Sequence, residues 1–96
     1  MNNPDTKKTA ARRRVTFTYY APRAGEVCLS GDFNRWGMKV HAMKKDPEGI
    51  WRKILYLYPG RYEYLFVEDG KWCCDPLNLN RCANCYGSDN NIIEIK

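Results

Sequence analysis

The chain is predicted to fold as an all-β, immunoglobulin-like antiparallel sandwich of about seven short strands. Three observations predict it. Aromatic residues are abundant, with seven Tyr, three Trp and three Phe in 96 residues, a composition that favours strands. Apolar and polar residues alternate over short runs, and no run long enough for a helix shows helical period. Pro, Gly and Asp clusters punctuate the chain at intervals of about 8–12 residues.

The elements follow in order. Residues 1–13 are polar, contain Pro4 and lack an apolar period, so a disordered basic arm is expected there and a folded unit over 14–96. Val15, Phe17 and Tyr19 then alternate with Thr16, Thr18 and Tyr20 as a half-buried strand does. Val27 to Ser30 form a second strand ending at Gly31, and Asp32 to Gly37 a loop. Lys39 to Met43 form a brief edge strand before the Asp46-Pro47-Glu48-Gly49 turn. Trp51, Lys53, Leu55 and Leu57 share one face of the next strand, and Arg52, Ile54 and Tyr56 the other. After Pro59-Gly60, Tyr62, Tyr64 and Phe66 alternate with Arg61, Glu63 and Leu65, and these two strands read as a hairpin. Glu68-Asp69-Gly70 turns the chain into a short strand over Lys71 to Cys74. A long irregular loop then runs from Asp75 to Asn90, before a closing strand from Asn91 to Ile95.

The net charge of +5 is unevenly spread. Lys7, Lys8, Arg12, Arg13 and Arg14 against Asp5 place +4 in the first fourteen residues, leaving eleven basic and ten acidic groups in the body. A body so balanced has no broad basic face for phosphates, so no nucleic-acid partner is expected, and the arm reads as a solubilising tail. No stretch approaches the roughly 18 apolar residues of a membrane span. The first residues lack the apolar run of a secretory signal, so no membrane association and a cytoplasmic setting are expected. In that setting the five cysteines are expected to be free thiols.

Three features are not required by a sandwich core: Trp36 in a polar loop, Trp72 just after a turn, and the polar run Tyr86-Gly87-Ser88-Asp89-Asn90-Asn91. A pyranose ring offers an apolar face of C–H groups and a rim of hydroxyls. It is therefore met by a flat aromatic surface and by groups that both donate and accept. Taken alone, such a Trp is more often a plug over the sandwich edge. Trp51 shares a strand face with Leu55 and Leu57 and is assigned to the core.

The blocks Ser30-Gly31-Asp32-Phe33-Asn34-Arg35-Trp36, Pro59-Gly60-Arg61-Tyr62-Glu63-Tyr64, Asp69-Gly70-Lys71-Trp72, Asp75-Pro76 and Asn90-Asn91 occur in that order. In order and spacing they resemble the early-set glycogen- and starch-binding family. That family includes the N-terminal modules of isoamylase and branching enzyme and the glycogen-binding domain of the AMP-activated kinase β subunit. The resemblance covers Val15 to Ile95 and implies a non-catalytic module for α-1,4-glucans such as glycogen, starch or maltooligosaccharide. It implies that Trp36 and Trp72 stack on glucose units, that Tyr86 threads the curved glucan, and that Ser88 and Asn90 bond sugar hydroxyls. One position departs, because Leu65 stands where the kinase-subunit members carry Lys. A charged hydrogen bond of about 1.5–3 kcal/mol is thereby missing, one or two orders of magnitude in affinity. Arg61, Arg52 and Lys71 are candidates to replace it. The loop before Asn90 is also about one residue longer than in those members, which bears on Tyr86.

Cys73-Cys74 with Cys82-x-x-Cys85 could supply four thiolates to zinc. Neighbours on a strand point to opposite faces, however, which favours free thiols over a metal or a loop disulfide, and no cofactor is expected. Cys28 reads as a buried small hydrophobe. His41 is the sole histidine, and no nucleophile motif or facing carboxylate pair stands out, so the chain is read as non-enzymatic. Two functional classes stay open. One is an α-glucan-binding module that targets a partner enzyme, a protein partner being suggested by the lack of an attached catalytic domain. The other is a protein-interaction module on the same fold with a degraded sugar site.

Overall fold

Phe17 and Tyr19 on one strand, and Tyr64 and Phe66 on another, project into the same space, and the chain is layered around their meeting. The structure is a computed structural model describing residues 11–96. Among these residues there are nine strands: β1 (Arg13–Tyr20), β2 (Val27–Gly31), β3 (His41–Ala42), β4 (Lys44–Lys45), β5 (Ile50–Leu57), β6 (Gly60–Glu68), β7 (Lys71–Cys73), β8 (Arg81–Ala83) and β9 (Asp89–Ile95). A single 3-10 turn follows β2 at Asp32–Asn34. One sheet has the order β1-β5-β4, the other β3-β2-β6-β9-β8, with β7 also paired to β6. All the pairings are antiparallel.

The period-two pattern sets which face of each strand is inward. In β1, Phe17 is buried while Thr16 and Tyr20 are exposed; in β5, Trp51, Leu55 and Leu57 are buried while Arg52, Ile54 and Tyr56 face solvent. Trp51 is core, its indole N–H donating to Ala21 O at 2.8 Å. Between the sheets, ring centroids of Tyr19 and Phe66 lie 4.6 Å apart and those of Phe17 and Tyr64 5.1 Å apart. Val27, Leu29 and Phe66 have no exposure at all, and each such side chain contributes about 1.5–3 kcal/mol by leaving water.

The structure differs from the sequence expectations in four places. β5 and β6 are not a hairpin: β5 pairs with β1 and β4, β6 with β2, β7 and β9. The Tyr58-Pro59 link instead carries the chain across the sandwich, so the apolar faces of the two strands meet through the core. The expected edge strand over Lys39 to Met43 is divided. β3 pairs with β2 and β4 with β5, and between them Met43 is buried and donates its N–H to Val27 O at 2.9 Å. Asp75 to Asn90 is not wholly irregular, because β8 forms within it and pairs with β9, which starts at Asp89. The arm expectation falls mostly on residues 1–10, outside the described residues. Arg13 already belongs to β1 and donates from Nε to Lys96 O at 3.1 Å, while Arg12 lies 4.9 Å from the centre of the Tyr58 ring. No helix among the described residues is long and apolar enough to cross a membrane.

Candidate functional site

The outer face of the six-stranded sheet carries the site, and the loop after β2 builds its first wall. Gly31 is required there by space: a Cβ would sit 2.5 Å from Glu63 O. Asp32 bridges the loop to the sheet, accepting from the Trp36 indole N–H at 3.0 Å on one carboxylate oxygen and from the Glu63 backbone N–H at 2.8 Å on the other. Asn34 accepts from Gly31 N–H at 3.0 Å and donates to Leu29 O at 2.9 Å and to His41 Nδ1 at 2.8 Å. These bonds hold Arg35 and Trp36 at φ 55° and 61°, a left-handed conformation that costs a residue with a Cβ about 1–2 kcal/mol.

The second wall is β7. The Asp69-Gly70 turn takes positive φ at both residues. The Asp69 carboxylate accepts from Gly25 N–H at 3.0 Å and Glu26 N–H at 2.8 Å, anchoring the turn. Trp72 then stands opposite Val67 and is 46% exposed. The rings of Trp36 and Trp72 have centroids 6.1 Å apart and planes inclined at 53°.

The third wall is the turn from Asn84 to Ser88, organised by one side chain. Asn84 Oδ1 accepts from Tyr86 N–H at 2.9 Å and Ser88 N–H at 3.2 Å, and Nδ2 donates to Ser88 Oγ and to Asn90 Oδ1, both at 3.0 Å. Tyr86 at its tip is 88% exposed. The three walls enclose an open cavity of about 740 Å³ that brings together all six predicted residues, Trp36, Leu65, Trp72, Tyr86, Ser88 and Asn90. Leu65 is buried and gives it an apolar floor.

Glu63, Asn84 and Cys85 also line this cavity; the first two were not singled out from the sequence, and Cys85 only as a zinc alternative. Glu63 had a signal, since it alternates with Tyr64 on β6 and therefore shares its face with Leu65. Hydrogen bonds from Asn90, Cys82 and Arg61 hold its carboxyl below the usual range, and the hydrogen bond to Glu63, followed by burial, pushes the Cys82 thiol up. Asp32 reaches Glu63 across the fold, which no local pattern reveals, whereas the bonds of Asn84 are local, to Tyr86, Ser88 and Asn90.

The cations proposed to replace the missing Lys do not do so. Arg61 is tied to Glu63 at 2.9 Å, and Arg52 lies on the opposite sheet paired with Asp46. Neither these two nor Lys71 lines the cavity. The four cysteines of the zinc alternative are not gathered around one point. Cys73 Sγ is directed to Lys71 O and Cys74 Sγ to Asp89 O, while Cys82 lies beside Glu63 and Cys85 lines the cavity. Among the described residues no group of three or more Cys, His, Asp or Glu is gathered as a metal set, and the five thiols are free. A smaller cleft of about 380 Å³ on the other sheet, between Thr16, Lys44 and Arg52, has no aromatic wall.

A family model described as the glycogen recognition site of AMP-activated protein kinase matches residues 13–96. The chain belongs to this family. It is a carbohydrate-binding module of β-sandwich fold. Similar curated proteins include FLOURY ENDOSPERM 6, chloroplastic, of Oryza sativa subsp. japonica, 33% identical over 95% of this chain and 17% of that protein. PTST homolog 2, chloroplastic, of Arabidopsis thaliana is 40% identical over 75% of this chain and 13% of its own length. Subunit beta-2 of the 5'-AMP-activated protein kinase of Mus musculus is 33% identical over 96% of this chain and 33% of its own length. The chain thus spans a third or less of each of these relatives. With chloroplastic proteins among them, the family accommodates more than the cytoplasmic setting expected from the sequence.

Proposed function

We propose that the module holds a curved α-1,4-glucan chain, of glycogen, starch or a maltooligosaccharide, across Trp36 and Trp72. The observation that carries this reading is the inclination of the two exposed rings, 53° at a centroid distance of 6.1 Å. A flat β-linked chain presents successive sugar faces in one plane and suits coplanar rings. An α-1,4-linked chain turns as it runs and suits two rings set at an angle. In this reading Tyr86 projects into the bend, Ser88 and Asn90 bond hydroxyls, and Leu65 packs under a sugar face in place of a cation.

The likeness to early-set modules of isoamylase and branching enzyme supports a targeting role beside a partner protein. Residues 14–96 are taken as the folded unit with the basic arm preceding it. The free thiols support a reducing compartment, for which we keep the cytoplasm. Co-sedimentation of the chain with glycogen tests the reading. Wild type is expected in the pellet and the Trp36→Ala/Trp72→Ala double variant in the supernatant, both with native thermal transitions. A double variant that pellets as well as wild type would instead favour a protein-interaction module.

A further inference from the structure

Glu63 stands in the cavity with features that none of the other lining residues combines. Its side chain is 25% exposed, enough to reach a ligand. Its two carboxylate oxygens are fixed separately: Arg61 Nη1 donates to Oε2 at 2.9 Å and Asn90 Nδ2 to Oε1 at 3.1 Å. Its backbone N–H is bonded to Asp32, the same carboxylate that fixes the Trp36 indole. The backbone of Glu63 and the stacking ring are therefore tied to each other through Asp32.

The acceptor capacity of the cavity is largely spent elsewhere. Asn84 Oδ1 already takes the N–H groups of Tyr86 and Ser88 and the Ser88 hydroxyl, and Asn90 Oδ1 takes Asn84 Nδ2. An ionised carboxylate has about four lone-pair positions, and three are occupied, by Arg61, Asn90 and Cys82. Glu63 thus keeps about one free acceptor position, on a carboxylate held by its neighbours in the cavity that Leu65 also lines. A glucose unit brings hydroxyl donors to that space, and a hydrogen bond to a charged acceptor is about twice as strong as one between neutral groups.

We infer that Glu63 is a glucan-contacting residue whose carboxylate accepts a hydrogen bond from a secondary hydroxyl of a glucose unit beside Trp36. The charged hydrogen bond of this site is then made by an anionic acceptor on β6, two residues before the Leu65 position where a cationic donor is missing. The ligand class narrows accordingly to glucans with free secondary hydroxyls. This inference rests on the glucan reading of the cavity.

Calorimetric titrations of the chain and of Glu63→Gln, each with β-cyclodextrin and with a β-cyclodextrin methylated at its secondary hydroxyls, test it. The methylated ring keeps the curvature and apolar faces but has lost the donors. Wild type is expected to bind β-cyclodextrin at least about tenfold more tightly than Glu63→Gln, and the two to bind the methylated ring equally. An equal penalty of methylation in both proteins overturns the inference, because a merely structural role of Glu63 would weaken both ligands alike. If neither protein binds the methylated ring, the β-cyclodextrin comparison decides, and a loss below about threefold in a folded Glu63→Gln variant overturns it. If wild type binds neither ring, the glucan reading itself fails and this inference with it.

Discussion

The indole of Trp36 is fixed before any ligand arrives, by Asp32 at its N–H and by Gly31 O, which accepts from its backbone N–H at 2.9 Å. Removing Asp32 frees the ring and also the Glu63 N–H, each bond being worth about 1 kcal/mol. Asp32→Ala is expected to weaken β-cyclodextrin binding about fivefold and to raise quenching of tryptophan fluorescence by acrylamide; unchanged quenching would contradict the positioning role. His41 adds a pH dependence. Asn34 Nδ2 donates to His41 Nδ1, so the ring is neutral, and burial first and the Lys53 charge second lower its pKa. The unfolded chain therefore takes up a proton before the folded one does. The contribution is present above about pH 6.5, the ordinary histidine value, and is lost as pH falls through the lowered folded value. Thermal midpoints of wild type should drop over that window more than those of His41→Gln; parallel profiles would contradict this. The Trp36 platform was legible in the block Gly31 to Trp36, whereas the bridge from Asp32 to Glu63 and the contact of Asn34 with His41 were not, because those partners are set by the fold.

At the scale of elements, the face of each strand could be read from alternation, and its neighbour could not. Trp51 to Leu57 and Tyr62 to Phe66 alternate as hairpin strands do. Two strands with apolar faces of equal length can meet edge to edge or face to face, and here β5 and β6 face each other across the core. The switch at Met43 was equally hidden, being one buried residue between two strands of two residues each. The loop before β8 depends on Asn91, which is wholly buried on β9. Its Oδ1 accepts from Asp75 N–H and its Nδ2 donates to Asp75 O and Asn78 O. Asn91→Ala leaves those groups unpaired at a cost of about 2–3 kcal/mol. The thermal midpoint should fall by roughly 10–20 °C, measured by calorimetry, and a fall of only a degree or two would contradict the assignment. Asn90, its neighbour, faces the cavity instead, which is why adjacent identical residues have different roles.

Across the whole molecule, the two sheets divide the work. The three-stranded sheet closes the core, while the six-stranded sheet buries one face against it and uses the other to carry the cavity. Trp36, Trp72 and Tyr86 are brought together there from three separate stretches of chain. The most direct test of the central claim is a titration of the chain with β-cyclodextrin followed by tryptophan fluorescence. The account predicts a saturable change in the micromolar to millimolar range that is weakened about thirtyfold in Trp36→Ala, the loss of about 2 kcal/mol of ring contact. A flat response in wild type, or equal affinity in the variant, would contradict it.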